Sequence, residues 1–163
     1  MNDSTPHQLR FPSSAGFTVR ADFEGGAVSS DFGALLLQGV ERQTGLIARL
    51  ASAIEDKRHP SYIDHSLTDL LRQRIFQTAC GYADGNDANS LRHDPMFKLA
   101  AARAPLNADN ALASGPAFSR LENSVSPKDI FRLAPALVDA FLRSYVTAST
   151  LLAPHLHHPH ARP

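Results

Sequence analysis

Four histidines crowd the end of the sequence, His155, His157, His158 and His160, and imidazoles at such density are zinc or nickel ligands by type. Pro154, Pro159 and Pro163 interrupt that stretch, so it lacks the regular element that a rigid cage of ligands requires. A structureless end is expected there, with no metal site. Cys80 could serve as a nucleophile with His65 or His93 as its base. It lies beside Ala79 toward the end of a helical pattern, where cysteine behaves as a small hydrophobe. Asp84, Asp87, Asp94 and Glu122 could in principle converge on two cations for phosphoryl transfer. Yet Asp84-Gly85-Asn86-Asp87 is turn chemistry and Asp94 stands before Pro95 as a helix cap, which accounts for three of the four. No catalytic residue and no metal ligand is assigned on these grounds.

Arg74 is a different case. A helical wheel over residues 62–82 places it among Leu67, Leu70, Leu71 and Thr78, on the apolar arc. A guanidinium aimed at a core needs a carboxylate or carbonyls, because a buried unpaired charge costs several kcal/mol. Glu122, in a short helical segment with Phe118 and Leu121, is the expected partner in a structural ion pair.

The elements that must position these groups follow from the apolar period. Residues 1–15 are polar and aperiodic and read as a loose arm. Phe17, Val19, Ala21 and Phe23 alternate as in a strand, and Gly25-Gly26 suits a tight turn into a return strand at Ala27-Val28. Ser29-Ser30-Asp31 can cap a helix carrying Leu35, Leu36, Leu37 and Val40. Gly45 should interrupt it, and Leu46, Ile47, Leu50, Ala51 and Ile54 define a second helix. The central helix carries Ile63, Leu67, Leu70, Leu71, Ile75, Thr78 and Tyr82 on its apolar arc. A further helix is expected over 95–103, one or two turns from Pro116, and a long helix from Ser126-Pro127-Lys128-Asp129. That last helix places Ile130, Leu133, Leu137, Val138, Phe141 and Tyr145 on one arc, with Pro135 expected to kink it. The fold class is mainly α with a small β-hairpin, organised as an arm (1–15), a helical region (16–146) and a disordered Pro/His-rich tail (147–163).

Composition narrows the class further. Sixteen basic residues balance sixteen acidic ones, so any nucleic-acid contact must come from a local patch. A single cysteine excludes an intramolecular disulfide framework, and no apolar run approaches the roughly 20 residues of a membrane span. Met1 to Phe11 has no signal-peptide core. The expectation is a cytoplasmic protein with no membrane partner.

Several strings in fixed order resemble the N-terminal region of a bacterial insertion-sequence transposase family, transposase DDE domain group 1. They are Ser29-Ser30-Asp31-Phe32-Gly33-Ala34-Leu35-Leu36-Leu37, Asp69-Leu70-Leu71-Arg72-Gln73-Arg74-Ile75, Gly81-Tyr82-Ala83-Asp84-Gly85-Asn86-Asp87-Ala88, Leu91-Arg92-His93-Asp94-Pro95, and the run Leu112 to Asn123 around Ser114-Gly115-Pro116-Ala117-Phe118. The resemblance spans about residues 17–146, and Gly115 and Pro135 depart from the usual pattern. It implies a protein that binds the inverted-repeat ends of its element. In the full-length family, three acids on an RNase H-like core hold Mg2+ for strand cleavage and transfer. Relatives place the first of those acids in a Leu-Asp-Xaa-Asp-like string after the helix equivalent to 127–146. Here Tyr145 leads instead to Thr147-Ala148-Ser149-Thr150 and the Pro/His tail. The expectation is therefore a truncated transposase fragment without catalytic acids or a cofactor of its own, with full-length transposase as a possible partner. Phosphate contacts, on this reading, come from Arg72, Arg92, Lys98, Arg120 and Arg132, with Arg103 and Arg143 also available.

Overall fold

Seven α-helices and one β-hairpin make up the described part of this computed structural model, residues 9–14, 16–21 and 30–152. Strands β1 (Leu9–Ser14) and β2 (Phe17–Ala21) pair antiparallel, with Phe11 opposite Val19. The hairpin thus lies N-terminal to the Gly25-Gly26 turn that the sequence suggested, and β1 occupies half of the expected arm. The expected return strand at Ala27-Val28 falls outside the described residues. The reason is tertiary. Ser14, buried at the end of β1, donates its hydroxyl to the Leu99 carbonyl at 2.8 Å, and Gln38 reaches Ser14, Leu99 and Ala100 at 2.8–3.0 Å. These bonds give the Leu99 carbonyl side-chain partners beyond its local one and satisfy the Ala100 carbonyl at the end of helix α5.

Helix α1 (Gly33–Thr44) passes into α2 (Leu46–Ala53) through Gly45, which adopts a left-handed φ of 60° and donates its N–H to the Glu41 carbonyl at 2.8 Å. The Glu41 carboxylate then accepts from the Ile47 N–H at 3.0 Å, so one residue serves both helix ends. Helix α3 (Leu67–Ala79) starts at Ser66, whose hydroxyl accepts from the Asp69 N–H at 3.1 Å. Helices α4 (Asp87–Leu91) and α5 (Pro95–Ala100) follow, the latter capped by Asp94, which accepts from Met96 and Phe97. Helix α5 stops at Ala100, short of the expected 103, because Arg103 N–H bonds Lys98 O and Ala102 N–H bonds Leu99 O, a Schellman turn with Ala102 at φ 59°. Helix α3 ends the same way through Gly81.

Helix α6 (Gly115–Ser124) packs on α4, where a Cβ on Gly115 would lie 3.0 Å from the Asn89 amide and 3.1 Å from the Gly85 carbonyl. That close approach gives a physical reason for glycine at the position. Helix α7 (Pro127–Leu152) runs unbroken through Pro135 and continues six residues past Val146, beyond the boundary read from the sequence.

Two apolar clusters form the core. Ala34, Leu35, Ile47, Phe76 and Phe97 centre one, Leu67, Leu70, Ala113 and Phe118 the other, and Leu71 touches both. Helix α3 therefore faces inward on two sides. Gln73, Phe76 and Gln77 are buried with Leu67 and Leu70, while Thr78, placed on the arc by its period, is exposed. Helix α7 lies against α2 through half-buried Leu133, Ala136 and Ala140, and the remainder of its apolar arc faces solvent.

Candidate nucleic-acid interface

The N-terminal turn of α3 gathers the basic groups. Asp69 sits in that turn and pairs with Arg72 at 3.0 Å, one helical turn on. Arg103 arrives from the Schellman turn after α5, with Nη2 3.9 Å from the same carboxylate and 2.9 Å from His65 Nδ1. Its Nη1 donates to Asn110 Oδ1 at 3.0 Å and to the Ala111 carbonyl at 2.9 Å. Arg92 Nε donates to the next carbonyl, Leu112, at 3.2 Å, and Arg58 Nη1 donates to the His65 carbonyl at 3.0 Å. Arginine suits this work because its planar fork can hold backbone oxygens with some N–H groups and leave others toward water.

The electrostatics are one-sided. Arg58 is matched by Asp56 at 2.6 Å, a pairing that raises the guanidinium pKa and lowers that of the carboxyl. Arg72 and Arg103 both pair with Asp69, and Arg92 and Asp64 lie close enough to act on His65, so three guanidiniums stand near two carboxylates. Partial burial and the Arg103 charge, with Arg92 adding, hold the His65 pKa below its ordinary value, while Asp64 and Asp69 oppose them. Because a guanidinium has no acceptor, His65 Nδ1 must take the hydrogen bond from Arg103, which requires a neutral ring protonated at Nε2.

A pH dependence follows. A histidine whose folded pKa is depressed contributes stability that is fully present above the unfolded value near 6.5 and is lost as pH falls toward the folded value. Thermal unfolding between pH 7.5 and 5.5 should show the native chain losing stability, and His65→Gln should flatten that dependence. An unchanged slope in the variant would remove His65 from this account.

The other expected contacts are placed differently. Lys98 is 1% exposed and its ammonium donates to the Asn107 carbonyl, which takes it out of reach of a phosphate. It lies near the C-terminal end of α5, under the 101–114 loop. Arg132 donates to the Ala53 carbonyl at 2.9 Å and pairs with Asp129, so it fastens α7 to α2. Arg143 pairs with Asp139 at 2.8 Å on the exposed side of α7. Arg120 is exposed on α6, away from the Arg72 group in sequence and element. The structure brings Arg74 and Glu122 together, with Nε 3.3 Å from Oε1 and the guanidinium over the Phe118 ring. Glu122 is 57% exposed, however, so the pair is screened by water and belongs with modest surface interactions of about 0–1 kcal/mol. The large penalty expected for a fully buried pair does not apply.

The family model described as Transposase DDE domain group 1 matches residues 11–153, most of the chain. The chain belongs to that family. Its function is accordingly related to DNA transposition, and its interactions include DNA. No curated protein and no solved structure matches it.

Transposase strand chemistry of the DDE type needs acids that converge on divalent metal. Among the described residues no three His, Cys, Asp or Glu side chains stand together as metal ligands would. Asp84 accepts from the Asn86 N–H in a turn, Asp94 caps α5, Asp87 opens α4 and Glu122 faces Arg74. The described acids therefore do not fit a two-metal site. Cys80, at the end of α3, has its thiol pKa pushed up by burial and by the Asp31 carboxylate, opposite to what a nucleophile needs. The four tail histidines lie outside the described residues. No described helix is long and apolar enough to cross a membrane.

Sequence reasoning missed His65 and Asp69 as organisers of the basic group. The Ser66 cap and the i, i+3 spacing of Asp69 and Arg72 were available signals. Arg103 could be named as a basic residue, but its arrival here depends on the turn at Ala102, which nothing local signals.

Proposed function

We propose that this transposase chain holds the inverted-repeat ends of its insertion element in the cytoplasm, through Arg72, Arg92 and Arg103, and performs no strand cleavage of its own. The observation that carries the reading is the gathering of three guanidiniums, Arg72 and Arg103 on Asp69 and Arg92 on the Leu112 carbonyl next to the Ala111 carbonyl that Arg103 holds. A phosphodiester beside it would meet N–H donors already oriented by the Ala111 and Leu112 carbonyls.

Electrophoretic shift of labelled inverted-repeat DNA across a salt series tests this. Arg72→Gln and Arg92→Gln should each weaken binding and flatten the slope of log Kd against log salt by about 1. Lys98→Gln should leave that slope unaltered. Absence of any shift at low salt, or slopes indifferent to Arg72 and Arg92, would overturn the reading.

A second reading is a non-enzymatic helical module that pairs with full-length transposase, and the exposed apolar side of α7 favours it. Retention of full-length transposase by the immobilised chain at high salt would support that role.

A further inference from the structure

Helix α7 carries its most apolar surface outward. Ile130, Phe131, Leu137, Val138, Phe141 and Leu142 are each 50–79% exposed, whereas the side against α2 is built from Leu133, Ala136 and Ala140. Together the six expose on the order of 700 Å² per copy, close to the roughly 800 Å² that each partner contributes to a standard interface. A monomer rarely leaves so large a continuous apolar face to water.

The spacing of this face says what shape covers it. Phe131, Ala134, Val138, Phe141 and Tyr145 succeed one another at intervals of three and four, which is the heptad seam that accepts another helix. Charges stay off the seam, since Arg132 turns to Ala53 and Asp129, and Asp139 and Arg143 pair with each other. Nothing repels an identical face. The sizes along the seam also choose a direction. In a parallel pair Phe141 would stack on Phe141 while Ala134 faced Ala134 and left a void. In an antiparallel pair centred between Val138 and Phe141, Val138 meets Phe141 and Ala134 meets Tyr145, so a small residue faces a large one in each layer.

We propose that α7 pairs antiparallel with α7 of a second copy of this chain. This interface is separate from the Arg72 group and goes beyond the DNA-binding reading, so each can fail without the other. Pro135 falls beside the seam and leaves the pairing layers intact. Leu133, Ala136 and Ala140 keep α2 in place while the outer side is covered, so the pairing requires no rearrangement of the fold.

Sedimentation velocity of the full chain over a concentration series should show a dimer that dissociates on dilution. Val138→Asp and Phe141→Asp should each raise the dissociation constant at least about tenfold. Both sites are exposed, so circular dichroism and the thermal midpoint at low concentration should match those of the unaltered chain. Direction is read by cross-linking. In a Cys80→Ser background, mixed Val138→Cys and Phe141→Cys chains should form the mixed disulfide faster than either forms its own. A monomer at every concentration, or a dimer indifferent to both aspartates, would overturn the proposal. So would preferential coupling of Val138→Cys chains to one another, which reports a parallel pair. A monomer whose outer α7 surface is protected by its own residues 147–163 would overturn it as well and assign the face to that segment.

Discussion

Replacing Gln73 with alanine should lower the unfolding free energy by about 2–4 kcal/mol, a loss set by two stranded backbone groups more than by the side chain's own size. Gln73 is 4% exposed on the inward side of α3. Its Nε2 donates to the Ala113 carbonyl at 2.9 Å, and its Oε1 accepts from the Ala113 N–H at 2.8 Å. The amide thus mimics a strand partner for an isolated piece of chain that runs between the two core clusters. Truncation leaves both Ala113 groups buried with no replacement, at about 1–3 kcal/mol for each unmade bond. Gln77, one turn further along, is the control. It is fully buried, and neither amide atom has a hydrogen-bond partner among the described residues. Methionine has nearly the same volume and no amide to desolvate, so Gln77→Met should raise stability by about 1 kcal/mol. Urea unfolding of both variants checks the pair. A Gln73→Ala chain as stable as the native one would show that hydrogen bonding to Ala113 does not anchor this segment.

The same two glutamines mark where the sequence stops being legible. Periodicity found α3 and most of its apolar residues, because Leu67, Leu70 and Leu71 recur at helical spacing whatever they touch. It could not mark Gln73 and Gln77 as interior, since an amide is polar until a specific backbone partner or a close-packed wall makes it a core group. Two caps were legible for the opposite reason. Asp94 and Ser126 act on N–H groups two or three residues away, so their chemistry is complete within a short string, whereas α1 begins after Phe32 with no side-chain cap from the Ser29-Ser30-Asp31 string. Helix ends made by Gly45 and Gly81 belong to the same class, but the turn at Ala102 does not, because alanine carries no signal for a left-handed φ. Strand β1 was missed for a related reason. Gly25-Gly26 is a strong local turn signal, whereas the position of β1 depends on Ser14 meeting Gln38 and Leu99 across the fold. The candidate site divides in the same manner. Arg72 and Arg92 could be named as bases, yet their assembly with Arg103 around His65 rests on contacts across 38 positions of sequence. On α7 the apolar arc was legible, but its exposure was not, because a period reveals a face and says nothing of what covers it.

Asp129→Ala should release α7 from the rest of the fold and lower the thermal midpoint by roughly 5–10 °C. The carboxylate is 1% exposed and accepts from the Ser126 N–H at 2.8 Å, the Ser126 hydroxyl at 2.5 Å and the Glu55 N–H at 3.1 Å, and it pairs with Arg132. One side chain therefore closes the capping box of α7 and also binds the chain leaving α2. Without it, the contacts left to hold α7 on α2 include Arg132 to Ala53, the exposed Arg49–Asp139 pair at 3.6 Å and a narrow apolar strip. The Ser126 bonds, then the Glu55 N–H, then Arg132 hold the Asp129 pKa well below the usual carboxylate range. A depressed carboxylate contributes stability that is fully present above the unfolded value near 3.9 and is lost as pH falls through the folded value. The native chain should therefore lose stability steeply on acidification below about pH 4, and Asp129→Ala should show a shallower acid dependence from a lower starting midpoint. Asp129→Asn should recover part of the midpoint, since its carbonyl can still accept from one N–H, but should keep the shallow acid slope because it cannot titrate. Hydrogen exchange locates the change, with the first turns of α7 and Glu55 gaining exchange while α3 and α5 do not. A midpoint within a degree of native, with the acid slope intact, would mean that α7 is held by its apolar contacts alone and that Asp129 is only a local cap.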